Sequence, residues 1–293
     1  MIIGVLLMFD SIEDICKIEE ESHIPFWKIV QEDDCKERAV SVEESFQAMK
    51  AMYTAMKESA LNYDSHIRSN SGLVGGEAGL LRKYLDEGQP LVGEFTGRVM
   101  ELALRVAEGN ACMKRIVAAP TAGSCGVVPA VFIAAQEKLG LSDEKMTEAL
   151  FVTAGVGAVI AKRASLAGAE SGCQAEIGSA SAMAAAGLVY LKGGTGRQSA
   201  NSASLALKNL LGLACDPVAG LVEVPCVKRN VCGAMNAVTS AELTMAGIQS
   251  RIPADEVFDA MSAIGKNMNP DIKETGTGGV AATPTGIKIA QSL

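Results

Sequence analysis

Rings, basic runs and paired metal motifs are what this 293-residue sequence has least of. Aromatic residues make up 4%, with a single Trp, and there are two histidines. A core poor in rings must be filled by smaller side chains, and 30 Gly and 13 Met stand beside abundant Ala and Leu. That composition predicts closely packed helices. No Lys/Arg run occurs, and the formal net charge is −8. Nucleic acid and anionic membrane both require a basic face, so neither is an expected partner. There is no C-x-x-C, which removes the thioredoxin-like and zinc-ribbon readings. No apolar run reaches the length of a membrane span. The opening "MIIGVLLMF" lacks a positive flank and a small-residue cleavage site. It reads as a buried strand or the start of a helix, not a signal peptide. The expectation is a cytoplasmic protein. Eight cysteines are many for that compartment, where disulfides are rare.

Alternation of period two is almost missing, so the fold class predicted is all-α, a single helical domain with glycine-rich loops. Residues 11–60 read as helical, within an N-terminal arm over 1–60 that precedes a main domain over 61–293. Ser41 followed by Glu44 makes a capping-box pattern. Phe46, Met49, Tyr53, Met56 and Ala60 then form one apolar stripe. Residues 62–79 break into polar and glycine residues and are assigned to a loop. A helix is expected over about 90–108, and a Pro/Gly loop then leads into a helix that ends near Gly140. Ser142, with Asp143 and Glu144 behind it and Lys162 and Arg163 at the far end, bounds a helix apolar on all sides, hence central. Helices follow to about 191, to about 211, over 231–250 and over 253–266. The stretch 212–230 and the tail after 266 read as irregular.

Three cysteines lie where glycine or proline breaks the backbone: Cys173 in "GAESGCQAEIGSA", Cys215 in "ACDP" and Cys226 in "VPCVKRN", spaced 42 and 11 residues apart. Loops of small residues suit thiolates that hold iron, because backbone N–H groups can then approach the bridging sulfides. Buried thiols acting as small hydrophobes remain the alternative on local chemistry. Cys16, Cys35 and Cys112 fall in helical stretches and read as packing or surface thiols. Cys125 reads either as a low-pKa thiol or as filler, and Cys232 as a possible extra ligand.

"PTAGSCGVVPA", "GAESGCQAEIGSASAMAAAG", "CDPVAGLVEVPCVKRN" and "KETGTGGVAATPTG" together resemble the α subunit of the oxygen-labile iron–sulfur L-serine dehydratases. The resemblance runs from about residue 60 to the end, and more loosely through the arm. It implies a four-iron four-sulfur cluster (4Fe-4S) held by Cys173, Cys215 and Cys226, with one iron open to L-serine. It also implies a separate β subunit and no pyridoxal phosphate. Some members end in a cysteine that returns to the cluster. Here Gln291, Ser292 and Leu293 stand last, so no tail thiolate is expected to close the open iron. The reaction implied is elimination of water from L-serine, giving pyruvate and ammonia. A cysteine desulfidase of the same architecture and a non-catalytic helical scaffold are the alternatives. For the substrate carboxylate, the backbone of Thr121, Ala122, Gly123 and Ser124 ahead of a helix is one site. Ser71 and Gly72 in "SNSGLVGG" are a second. His66, beside that loop, and Ser124 are the catalytic candidates, although a surface histidine is the plainer reading. Lys228, Arg229 and Lys273 are possible charge partners for substrate.

Overall fold

In the computed structural model residues 9–293 are described, so all but the last residue of "MIIGVLLMF" lies outside the description. Thirteen α-helices are found among the described residues: α1 (Ile12–Ser22), α2 (Phe26–Arg38), α3 (Val42–Leu61), α4 (Glu77–Glu87), α5 (Glu94–Ala111), α6 (Val127–Leu139), α7 (Asp143–Arg163), α8 (Gly168–Ser171), α9 (Ser179–Leu191), α10 (Gly196–Lys208), α11 (Cys226–Met245), α12 (Ala254–Asn267) and α13 (Pro284–Ser292). No strand forms among the described residues, and the one β-type contact is an isolated parallel bridge between Cys215 and Lys273. None of the described helices is long and apolar enough to cross a membrane.

Local chemistry sets most of these ends. Ser11, Ser41, Ser142, Thr195 and Thr283 each accept a backbone N–H of the first turn, satisfying a donor that the helix itself leaves orphaned. Ser41 and Thr195 complete reciprocal capping boxes with Glu44 and Gln198. Helix α6 ends at Gly140, which takes the left-handed conformation.

Helices α7 and α9 form the centre. Of the thirteen residues of α9 only Tyr190 is not fully buried. It is packed by α6, α7, α10 and α11, while α5 closes on α6 and α11. Small residues permit this closeness. A Cβ at Gly187 would stand 2.4 Å from Phe132 Cζ, and one at Gly157 would stand 2.9 Å from Met183 Sδ. The few rings are gathered in one place: Trp27, Phe46 and Phe151 have centroids 6.4 Å apart, joining α2 and α3 to α7. Ile12, Ile15, Phe26, Val30, Tyr53 and Met56 of α1–α3 belong to the same buried core as α7 and α9.

Three expectations about elements need correction. Part of the 62–79 loop and the residues after it form α4, whose only buried residue is Ala78. Helix α11 begins at Cys226 and ends at Met245, about five residues earlier at both ends than expected. The tail carries α13 in addition to two short 3₁₀ turns. Both α4 and α13 are short, mostly exposed helices, and neither shows a long apolar stripe.

Candidate active site

Cys173 follows the short α8 and Gly172, which takes the left-handed region at φ +71°. It leads into one turn of π-helix over Gln174–Gly178, an irregularity common at functional sites. Gln174 anchors this turn to the Cys215 loop. Its N–H donates to Leu213 O at 3.1 Å, and its Oε1 accepts from Gly212 N at 2.9 Å. Cys215 lies in extended backbone held by the tail. Its N–H donates to Ile272 O at 2.9 Å, and its carbonyl accepts from Glu274 N at 2.7 Å. Cys226 is the first residue of α11, after Pro225. Asn230, one turn on, donates to Cys226 O and Gly123 O and accepts from Gly126 N. A single buried amide thus joins the Cys226 helix to the 121–126 turn.

The fold therefore brings the three thiols into one neighbourhood, in which they act on one another electrostatically. Burial, with the neighbouring Glu176, pushes the Cys173 thiol up to about 11. Burial, with Cys173 beside it, pushes Cys226 up to about 12. Cys215 is raised by burial and then by Glu176, Cys173, Glu274 and Cys226. Arg229 opposes the rise at Cys173 and Cys226. Its guanidinium is fixed by Ala214 O at 2.7 Å and Asp216 Oδ1 at 2.8 Å, and Asp216 in turn accepts from Val280 N at 2.8 Å.

Glu176 is the group that sequence reasoning passed over. It lies three residues beyond Cys173, one turn along. Its Oε1 accepts from Thr121 Oγ1 at 2.8 Å, and the Cys215 thiol lies 3.7 Å from its Oε2. Burial raises its pKa, and Glu274 adds to the rise. Gly123 and Gly168 make room for it. A Cβ at Gly168 would come within 2.7 Å of Glu176 Oε2 and 3.0 Å of Cys215 Sγ.

The other sequence-derived positions divide. Thr121, Ala122 and Gly123 adjoin Glu176, and the N–H groups of Ala122, Gly123 and Ser124 donate to no described residue. Ser124 is wholly buried, with its hydroxyl 3.1 Å from that of Thr121. Ser71 donates to Glu223 at 2.5 Å, as Ser69 does at 2.8 Å, and Glu223 is three residues before Cys226. Gly72 turns that loop at φ +76°. His66 projects outward, its side chain 92% exposed and 3.0 Å from Asp64. Lys228 pairs with Glu77 at 2.5 Å. The Cys125 thiol is fully buried and pushed up to about 12 by that burial, which corrects the low-pKa alternative and leaves it as filler. Cys232 is exposed on α11.

No three His, Cys, Asp or Glu side chains among the described residues approach closely enough to grip one metal ion. A cubane cluster asks for something else, since each thiolate binds a different iron and the sulfurs stand wider apart. Three soft sulfur donors and a fixed guanidinium beside them fit such a group.

Residues 21–281 match the family described as "Serine dehydratase alpha chain". The chain belongs to that family. Among its relatives, the probable L-serine dehydratase alpha chain of Bacillus subtilis (strain 168) is 44% identical over 286 residues, 98% of this chain and 95% of the relative. The L-serine dehydratase alpha chain of Peptoniphilus asaccharolyticus is 41% identical over 287 residues, covering 98% of both. The L-serine dehydratase TdcG of Escherichia coli (strain K12) is 44% identical over 181 residues, 61% of this chain and 40% of that longer protein. The chain is thus part of an enzyme, and its family membership weighs against the scaffold alternative.

Proposed function

We propose that this chain is the catalytic subunit of an L-serine dehydratase, which removes water from L-serine to yield pyruvate and ammonia. Cys173, Cys215 and Cys226 would hold a four-iron four-sulfur cluster, and a separate β subunit would complete the enzyme. When bound, such a cluster supplies a Lewis-acidic iron with a vacant position, suited to a poor leaving group such as hydroxide. The observation that carries this is the convergence of three thiols, 42 and 11 residues apart in sequence, around one arginine and one buried carboxylate.

The chain's own residues have definable tasks. Thiolate ligands must lose their protons before they bind metal. The Cys215 thiol faces Glu176 Oε2, which is placed to take its proton. Arg229, locked by Asp216 and Ala214 O, sets a fixed positive charge against the negative charge of the thiolates. The unpaired N–H groups of residues 122–124 suit a substrate carboxylate and would orient the molecule. Asn230 keeps this turn in register with Cys226.

The test is pyruvate formation from L-serine by anaerobically reconstituted protein, with and without its β partner, alongside iron and acid-labile sulfide analysis. Turnover that tracks iron content is expected. Turnover in iron-free protein, or none in fully loaded protein with its partner, would overturn the proposal.

A further inference from the structure

Glu274 occupies an unusual position. Its backbone is left-handed at φ +65°, although it is not glycine. L-residues pay for that conformation, and the cost tends to persist at functional sites. Glycines stand close by at 276, 278 and 279, so the local sequence had a strain-free residue to hand. The conformation is held from below, because Glu274 N donates to Cys215 O at 2.7 Å while Lys273 bridges to Cys215. Glu274 is thereby seated against one of the three thiol loops. Its negative charge reaches both the Cys215 thiol and Glu176.

The carboxylate itself has no hydrogen bond or ion pair with any described residue. Arg229, the guanidinium beside the thiols, is already committed to Asp216 and Ala214 O. Lys228 is committed to Glu77. A strained, exposed anion thus stands beside the thiol site with no ion pair to any described residue, its chain neighbour Lys273 included. On the function proposed above, the ligand that enters there carries an α-ammonium, for which no other anion has been assigned.

We infer that Glu274 receives the α-ammonium of the substrate and so makes the site selective for amino acids over hydroxy acids that lack the amine. This rests on the proposed function and adds to it a specificity residue. The assignment complements the free N–H groups of residues 122–124. One end of the zwitterion meets backbone donors and the other meets a carboxylate.

The test uses the anaerobically assembled enzyme with its β partner. L-serine turnover is compared with inhibition by 3-hydroxypropionate, which is serine without its amino group. Glu274→Gln keeps the shape and removes the charge, and Glu274→Asn keeps a residue tolerant of left-handed backbone. Both are expected to raise KM for L-serine by at least about tenfold, the scale of one lost charge-assisted hydrogen bond. Inhibition by 3-hydroxypropionate and iron content should stay within about twofold of wild type. Glu274→Gly relieves the strain and removes the carboxylate. A purely structural role predicts wild-type KM for it, whereas an ammonium contact predicts the same loss as in Glu274→Gln. An unchanged KM in Glu274→Gln, or a parallel loss of L-serine and 3-hydroxypropionate affinity, overturns the inference. Wild-type enzyme that holds iron but never turns over serine overturns the proposed function instead.

Discussion

Cys173, Cys215 and Cys226 differ from the other cysteines in company, not in chemistry. Each is adjacent to a backbone irregularity, and Cys215 and Cys226 each sense another thiol of the set. Substituting any one of them by alanine is expected to abolish iron binding, whereas Cys35→Ala, on α2, should retain wild-type iron. Anaerobic reconstitution followed by iron analysis checks both halves. A second residue-scale prediction concerns Glu108, which lies away from the thiols. Burial raises its pKa above the ordinary 4.5, although Tyr63 Oη donates to it at 2.5 Å and Ala78 N at 3.1 Å. A carboxyl whose folded pKa is raised stabilises the fold most below its unfolded pKa, and that stability is lost as pH rises through the folded value. Glu108→Gln removes the titration. The melting temperature of wild type relative to the variant should therefore be highest near pH 4 and fall as pH rises from there. A difference independent of pH would contradict this. His66 illustrates the limit at this scale. Its neighbours in sequence suggested catalysis, yet its orientation into solvent depends on a turn made with Asp64.

Among the elements, those with clear ends and sustained periodicity were legible in advance. Helix α3, with its Ser41–Glu44 box, and α7, between Ser142 and the Lys162–Arg163 pair, follow directly from caps and dipole. Helix α4 was not legible, because a glycine-rich entry and one buried alanine leave no face to detect. The start of α11 was hidden by Pro225, which reads as a breaker but stands here just ahead of the first turn, where proline costs little. Helix α9 offers a direct test of close packing. Gly187→Ala would drive a methyl into Phe132 and Thr153 Oγ1, at 2.4 and 2.6 Å. The helix gains propensity of up to ~1 kcal/mol but meets overpacking of roughly 1–3 kcal/mol. Net destabilisation is expected, measured as a lower urea midpoint with an unchanged slope.

For the whole molecule, the central question is how a ring-poor chain coheres. The answer lies in α7 and α9, buried on nearly every side, and in the aromatic group that ties α2 and α3 to them. Phe151 is fully buried in that group. Phe151→Ala should cost about 3–5 kcal/mol, the range for a large core deletion. The loss should be seen by fluorescence of Trp27 and by helical signal in one coincident urea transition, since α1–α3 share the core of the rest. Separate transitions would mean that the N-terminal helices form an independent unit. The same cooperativity bears on the site, whose three cysteines come from the α8–α9 junction, the 212–217 segment and the start of α11.

Composition and spacing by themselves determined that the chain is helical, that its helices pack closely and that three cysteines stand apart from the rest. These are local or additive properties, carried by caps, periodicity and residue size. The tertiary structure alone decided that the three thiols lie near enough to act on one another, that Glu176 lies against Cys215 and that the tail seats Glu274 against the Cys215 loop. Such contacts join residues up to 59 positions apart, and the packing of α11 on α9 and the pairing of the tail with the Cys215 loop bring those segments together.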